Sequence, residues 1–141
     1  VLVDDVIRRA RDEMRASGHE VAIESPRELP ETLTCDGKFL ARALANVLRN
    51  AMRHASSRVA LSVERAGGRT VVHVDDDGPG IAPEDRERLF EPFIRAEPGR
   101  ERGTGGVGLG LAIVRSVAEW HGGVASIATS PLGGARVSIS W

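Results

Sequence analysis

The chain has 141 residues, 41% hydrophobic and 28% charged, which fits a globular domain with a core of its own. Its formal net charge of −1 gives no electrostatic reason to expect nucleic-acid or membrane-surface binding. The single cysteine, Cys35, excludes a disulfide framework and points to a reducing compartment, and no apolar run reaches the length of a membrane span. The sequence opens at Val1 without methionine or a leader-like segment, so it reads as an excerpt of a longer protein.

In chain order, Leu2 to Ala16 carries apolar residues at helical spacing (Val3, Val6, Ile7, Ala10, Met14) and ends at Ser17-Gly18. Val21 to Ile23 reads as a short strand, and Leu33 to Cys35 as another. Asp36 is placed as the N-cap of the longest helix, which runs to about His54. Val59–Val63 and Thr70–Val74 flank Gly67-Gly68, the pattern of an antiparallel hairpin. Residues 75 to 108 show almost no strand signal beyond a helical turn near Pro83–Leu89; a long irregular stretch inside a domain is usually functional. A helix follows, closed by Gly122-Gly123, and then strands at Val124–Ala128 and Arg136–Trp141 around the turn Pro131–Gly134. In the last strand Val137, Ile139 and Trp141 share one face, with Ser138 and Ser140 on the other. This order predicts a two-layer α/β sandwich, a mixed and mostly antiparallel sheet with helices on one face.

Three stretches carry chemistry. Gly103, Gly105, Gly106, Gly108 and Gly110 put five glycines into eight residues directly before a helix, an arrangement suited to holding phosphate on free backbone N–H groups. The run fits G-x-G-x-x-G on paper, but no strand precedes it and no acid follows Glu119, so a dinucleotide fingerprint fails. A P-loop fails too, because no lysine lies near these glycines. On the longest helix, Leu40, Ala43, Leu44, Val47, Leu48 and Ala51 form an apolar arc, and Asn46 and Asn50 stack four residues apart with Arg53 and His54 beyond. Asparagine is a poor helix former, so two on one face are either a solvated face or carboxamides set to ligate Mg²⁺ beside phosphate, with Arg53 and His54 neutralising charge. Finally, Asp75-Asp76-Asp77 runs into Gly78-Pro79-Gly80-Ile81. Acids repel phosphate; a carboxylate at a strand exit is instead suited to accept the amino hydrogen of adenine, with glycines allowing close approach, although a plain solvated turn fits the same residues.

Together these residues resemble the catalytic and ATP-binding domain of bacterial two-component sensor histidine kinases. Ala45–Ala51 is similar to their N box, Asp76–Gly80 to the first glycine box, and Phe90-Glu91-Pro92-Phe93 to the F box. Gly106–Leu111 is similar to the second glycine box and Gly133-Gly134-Ala135 to the third. The five motifs stand in family order across nearly the whole chain. Val74–Ile81 and Pro131–Gly134 look most like envelope-stress sensor kinases of the CpxA type.

The resemblance implies a single domain over residues 1–141 with the Bergerat (GHKL) fold, lacking the dimerisation and phosphoacceptor domain. It implies ATP and Mg²⁺ as ligands, with Asp76 on the adenine amino group and Asn50 on Mg²⁺. Asn46 would line the same pocket, and Arg53 and His54 would approach the phosphates. Asn46, Asn50 and Arg53 are the residues it assigns to catalysis. Gly78 and Gly80 would make room for the base, with Ile81 beside them, while Gly106, Val107, Gly108, Leu109, Gly110 and Leu111 would lie along the phosphates. Residues from about 82 to 106 would form an ATP lid, anchored by Phe90 and Phe93, with Gly103, Gly105 and Gly106 as its hinge.

Relatives of this fold that hydrolyse ATP resemble one another in a Glu four residues before the Mg²⁺ asparagine, a general base for water. Here that position is Asn46, which takes no proton at neutral pH, so the γ-phosphate is left for another nucleophile. The acceptor histidine is expected outside the chain, because His19-Glu20 lacks the rest of the family's acceptor motif. His73 lies in a predicted strand and His121 is placed as a cation at a helix C-terminus. The alternatives are a nucleotide-binding regulatory module without kinase activity and a serine kinase of the anti-sigma type. The partners implied are the protein's own dimerisation and histidine-phosphotransfer domain and a cognate response regulator, with no nucleic acid. The resemblance implies a full-length protein that is a homodimer anchored in the bacterial inner membrane. This piece would be its cytoplasmic, monomeric domain.

Overall fold

Alternating apolar and polar residues build a mixed sheet whose strands are β1 (Ala22–Glu24), β2 (Arg58–Ala66), β3 (Arg69–Asp76), β4 (Ala125–Thr129) and β5 (Ala135–Ser140). The computed structural model describes residues 5, 8, 9, 12, 22–24, 37–92 and 110–141. Among these the sheet order is β1-β2-β3-β5-β4, so the last strand inserts between the central hairpin and β4. β1 runs parallel to β2, and the other pairs are antiparallel.

The period of two sorts the strands cleanly. Val59, Leu61, Val72, Val74, Ala125, Ile127, Val137 and Ile139 are buried on one face. There they meet helices α1 (Gly37–His54) and α2 (Gly110–Trp120) in one core cluster. The apolar arc of α1 is what the sequence predicts: Leu40, Leu44 and Leu48 are each no more than 1% exposed. Burying side chains of this size contributes about 2 kcal/mol apiece, which outweighs the poor helix propensity of Asn46 and Asn50. From α2, Val114, Val117 and Ala118 complete the layer. The opposite sheet face carries Ser62, His73, Asp75, Arg136 and Ser138 in register.

Local chemistry sets the ends of these elements. Gly67 and Gly68 both have positive φ, 58° and 78°, which gives the two-residue turn whose twist matches an antiparallel hairpin. α2 ends at Gly122, φ 73°, with the Gly122 N–H donating to the Glu119 carbonyl and the Gly123 N–H to that of Ala118. That is a Schellman closure. His121 Nδ1 lies 2.7 Å from the Val117 carbonyl, so this nitrogen carries the hydrogen and satisfies a carbonyl of the last turn.

The expected architecture holds, with shifts at the ends of elements. Asp75 and Asp76 are not in an irregular segment: they are the last residues of β3, paired with Ala60 and Val59. The turn expected near 83–89 is two 3₁₀ turns, Pro83–Asp85 and Arg88–Phe90. Asp5, Arg8, Arg9 and Asp12 are helical, in agreement with the first predicted helix. The rest of that helix, the strand at Leu33–Cys35 and the N-cap at Asp36 lie outside the described residues.

Candidate functional site

Three consecutive acids leave β3, and each does different work. Asp75 faces the polar side of the sheet, where the Arg136 guanidinium of β5 donates to both its oxygens at 2.7 and 2.9 Å. This two-point pairing holds the Arg136 guanidinium more firmly protonated than usual. Asp77 turns toward the loop after α1. Its oxygens accept from the Ser56 N–H at 2.8 Å, the Ser57 N–H at 3.0 and 3.2 Å, and the Ser57 hydroxyl at 2.7 Å. The Ser57 N–H, then its hydroxyl and the neighbouring backbone donors, hold this carboxyl well below the usual carboxylate range.

Asp76 lies between them, only 4% exposed, on the helix side of the sheet. Its Oδ1 accepts from the Gly78 N–H at 2.9 Å and from the Ala135 N–H at 3.2 Å. Its backbone carbonyl accepts from the Gly134 N–H at 3.1 Å. Among the described residues Oδ2 accepts no hydrogen bond. With one oxygen tied inside the protein and the other accepting nothing among the described residues, this carboxylate presents an acceptor to a donor from outside.

The glycines around Asp76 are explained by the protein itself. A Cβ on Gly78 would run into the His54 carbonyl at the end of α1, so the loop is pressed against that helix. A Cβ on Gly134 would strike Asp76 and the Gly78 nitrogen. Gly80 has φ +77°, a left-handed conformation that favours glycine. Ile81 packs against the core cluster.

The second half of the site is α1. Asn46 and Asn50 are both partly buried. Asn46 Oδ1 accepts from Arg49 at 3.2 Å, which orients the amide, while its Nδ2 is buried without a partner among the described residues. Asn50 makes no side-chain hydrogen bond among the described residues. Arg53 and His54 occupy the last turn. α2 begins beside Asn46: a Cβ on Gly110, its first residue, would lie 4.0 Å from Asn46 Cβ. Leu111 packs against the core just after it.

A third group ties the 3₁₀ turn to α2. Phe90 is 3% exposed, and the Arg115 guanidinium sits over its ring, 4.4 Å from the centroid. The same guanidinium donates to Glu87 at 2.5 Å. Phe93, Gly103, Gly105, Gly106, Val107, Gly108 and Leu109 lie outside the described residues.

Away from this region, His73 on the polar sheet face has Nδ1 2.6 Å from the Ser138 hydroxyl and Nε2 2.9 Å from Glu64. Ser138 is directly opposite on β5 and Glu64 diagonal on β2, and the helix-side site lies through the sheet from them. Among the described residues no group of His, Cys, Asp and Glu is placed to hold a metal ion, and no helix is long and apolar enough to cross a membrane.

Residues 35–141 match the protein family described as histidine kinase-, DNA gyrase B-, and HSP90-like ATPase. The chain belongs to this family. It is similar to the sensor protein RstB of Escherichia coli (strain K12), with 54% identity over 106 residues, 75% of this chain and 24% of that protein. It is also similar to the sensor histidine kinase CpxA of the same strain, with 40% identity over 140 residues, 98% of this chain and 30% of that protein. The chain therefore spans about a quarter to a third of the length of these relatives. Among solved structures, full-length ShkA in complex with AMPPNP superposes with a TM-score of 0.78 and 30% identity, covering 99% of this chain and 30% of that one.

In this member of the ATPase family, sequence reasoning singled out Asp76, Asn46, Asn50 and Phe90. It missed Asp77, Arg115 and the backbone N–H of Ala135. Ala135 had a signal, because Gly133-Gly134-Ala135 stands out as a glycine motif. Asp77 and Arg115 had none beyond charge.

Proposed function

We propose that this chain binds Mg·ATP and passes the γ-phosphate to a histidine on a separate dimerisation domain, as the kinase piece of a two-component signalling protein. The observation that carries the reading is Asp76, a buried carboxylate with one oxygen held by Gly78 and Ala135 and the other without a partner among the described residues. Asp76 Oδ2 accepts the amino group of adenine. The unpaired Asn46 Nδ2 donates to phosphate oxygen, and the Asn50 carboxamide oxygen ligates Mg²⁺, which when bound neutralises charge on the phosphates. Arg53 adds positive charge at the end of that helix, His54 offers a ring nitrogen to phosphate, and Gly110 lets phosphate approach the start of α2. Ile81 and Leu111 flank the nucleotide, and Phe90, stacked under the Arg115 guanidinium of α2, anchors the segment that begins near residue 82.

In the transfer, the bond from the γ-phosphorus to the bridging oxygen breaks as one forms to an imidazole nitrogen, and ADP leaves. The chain's work is positioning and charge neutralisation. Residue 46 is an amide, which accepts no proton from water at neutral pH, and this favours transfer over hydrolysis. The names of the relatives, a sensor histidine kinase among them, support the same reading. On this reading the piece works at the cytoplasmic face of an inner-membrane homodimer that signals to a response regulator.

The test is calorimetric and chemical. Mg²⁺-dependent ATP binding by the wild-type chain should be lost in Asn50→Ala. Labelled γ-phosphate should appear on a supplied dimerisation domain and never on the chain alone. Label retained covalently by the isolated chain, or binding with no transfer to a competent domain, would count against the kinase reading.

A further inference from the structure

The strongest unassigned feature is Asp77, whose carboxylate makes four hydrogen bonds to two serines yet has no place in the proposed ligand contacts. A carboxylate in a solvated turn would spend its lone pairs on water. Here both oxygens are committed to the backbone N–H groups and hydroxyl of the turn that joins α1 to β2. That turn begins two residues after His54, the end of the helix bearing Asn50 and Arg53. On the other side, Asp77 is bonded in sequence to Asp76, whose Oδ1 is locked to Gly78 and Ala135. Gly78 closes the same joint from its other side, since its missing Cβ faces the His54 carbonyl. The brace therefore spans the two halves of the site: α1, which carries the phosphate residues, and the β3 exit, which carries the base acceptor.

We propose that Asp77 is a positioning residue that fixes the turn after α1 to the loop carrying Asp76, so that base and phosphate recognition act as one binding event. The inference rests on the nucleotide reading above. Its logic is that of two linked sites: when both are held at the right separation, the second contact forms at high effective concentration, and a loose joint loses that gain while leaving each half intact.

The experiment compares adenosine, Mg·tripolyphosphate and Mg·ATP binding, by calorimetry and chemical-shift titration, in the wild-type chain, Asp77→Asn, Asp77→Ala and Ser57→Ala. In Asp77→Ala, the affinity for Mg·ATP should fall about tenfold, while those for adenosine and Mg·tripolyphosphate stay within about twofold. Asp77→Asn keeps an acceptor oxygen and should fall between, and Ser57→Ala, which removes only the hydroxyl bond, should show the smallest loss. If Asp77→Ala does not fold cooperatively, the same ordering is read from the other two variants. Adenosine affinity falling by the same factor as Mg·ATP would overturn the inference, because Asp77 would then merely support the base loop. Unchanged Mg·ATP affinity in the folded variants would also overturn it. A wild-type chain that binds no Mg·ATP defeats the nucleotide reading itself, a result distinct from both.

Discussion

The two halves of the candidate site are built on opposite principles. At the β3 exit almost every polar group is already engaged: Asp75 with Arg136, Asp77 with Ser56 and Ser57, and Asp76 Oδ1 with Gly78 and Ala135. Of these three carboxylates, Asp76 Oδ2 alone accepts no hydrogen bond among the described residues. On α1 the reverse holds, with Asn46 Nδ2 buried and unmatched and Asn50 without a side-chain bond among the described residues. The first half is finished before any ligand arrives; the second is left for a ligand to finish. Rigid donors and acceptors suit a planar base of fixed shape. Unmatched amides suit a flexible, metal-bound phosphate chain whose oxygens replace the missing partners.

Breaking the finished half should have the largest effect. Asp76→Ala removes the acceptor of the Gly78 and Ala135 N–H groups, and leaving one part-buried and one buried donor unsatisfied costs about 2–3 kcal/mol. Chemical denaturation should show that loss, and calorimetry should show ATP and ADP binding reduced together. Retained stability would mean the Oδ1 bonds carry little.

The unfinished half should respond with opposite signs. Asn46→Ala removes an amide whose N–H is unpaired and replaces it with a better helix former, so the ligand-free chain should gain up to about 1 kcal/mol. Mg·ATP affinity should drop in the same variant. A variant that loses stability and binding in parallel would erase the contrast between the two ends.

Arg115→Ala should have the smallest effect. It removes an ion pair to Glu87, whose side chain is 84% exposed, and a cation stacked on Phe90, together about 1 kcal/mol. Thermal melting in low and high salt divides the two contributions, since only the ion pair is screened. A loss that disappears entirely in high salt would leave the stacking without weight.

What the sequence discloses follows the range of the interactions. The Gly67-Gly68 hairpin, the apolar arc of α1 and the Schellman glycines at the end of α2 are local, and periodicity with turn chemistry finds them. The asparagines of α1 stand out because they are poor residues for a helix and sit at its spacing. The insertion of β5 between β3 and β4 was not legible, because strand order depends on contacts across the whole chain. Nor was the division of labour among Asp75, Asp76 and Asp77. As text they are three equal acids; the distant partners that separate them lie 61 residues away for Asp75, 59 for Asp76 and 20 and 21 for Asp77. Arg115 met Phe90 and Glu87 in the same way, through packing that no spacing rule encodes.

The closure of Asp76 by Gly134 and Ala135 also sets the order in which the protein can become competent. Its carboxylate, anchored first by the Gly78 N–H, gains its second anchor only from the turn that leads into β5, although Asp76 itself is made some 59 residues earlier. During synthesis on the ribosome, the central hairpin and α1 can assemble while this acid still lacks its second anchor. A nascent chain halted before Gly134 emerges would hold most of the residues of the site without a settled one. Ligand capture is thereby deferred until the turn into β5 has been made.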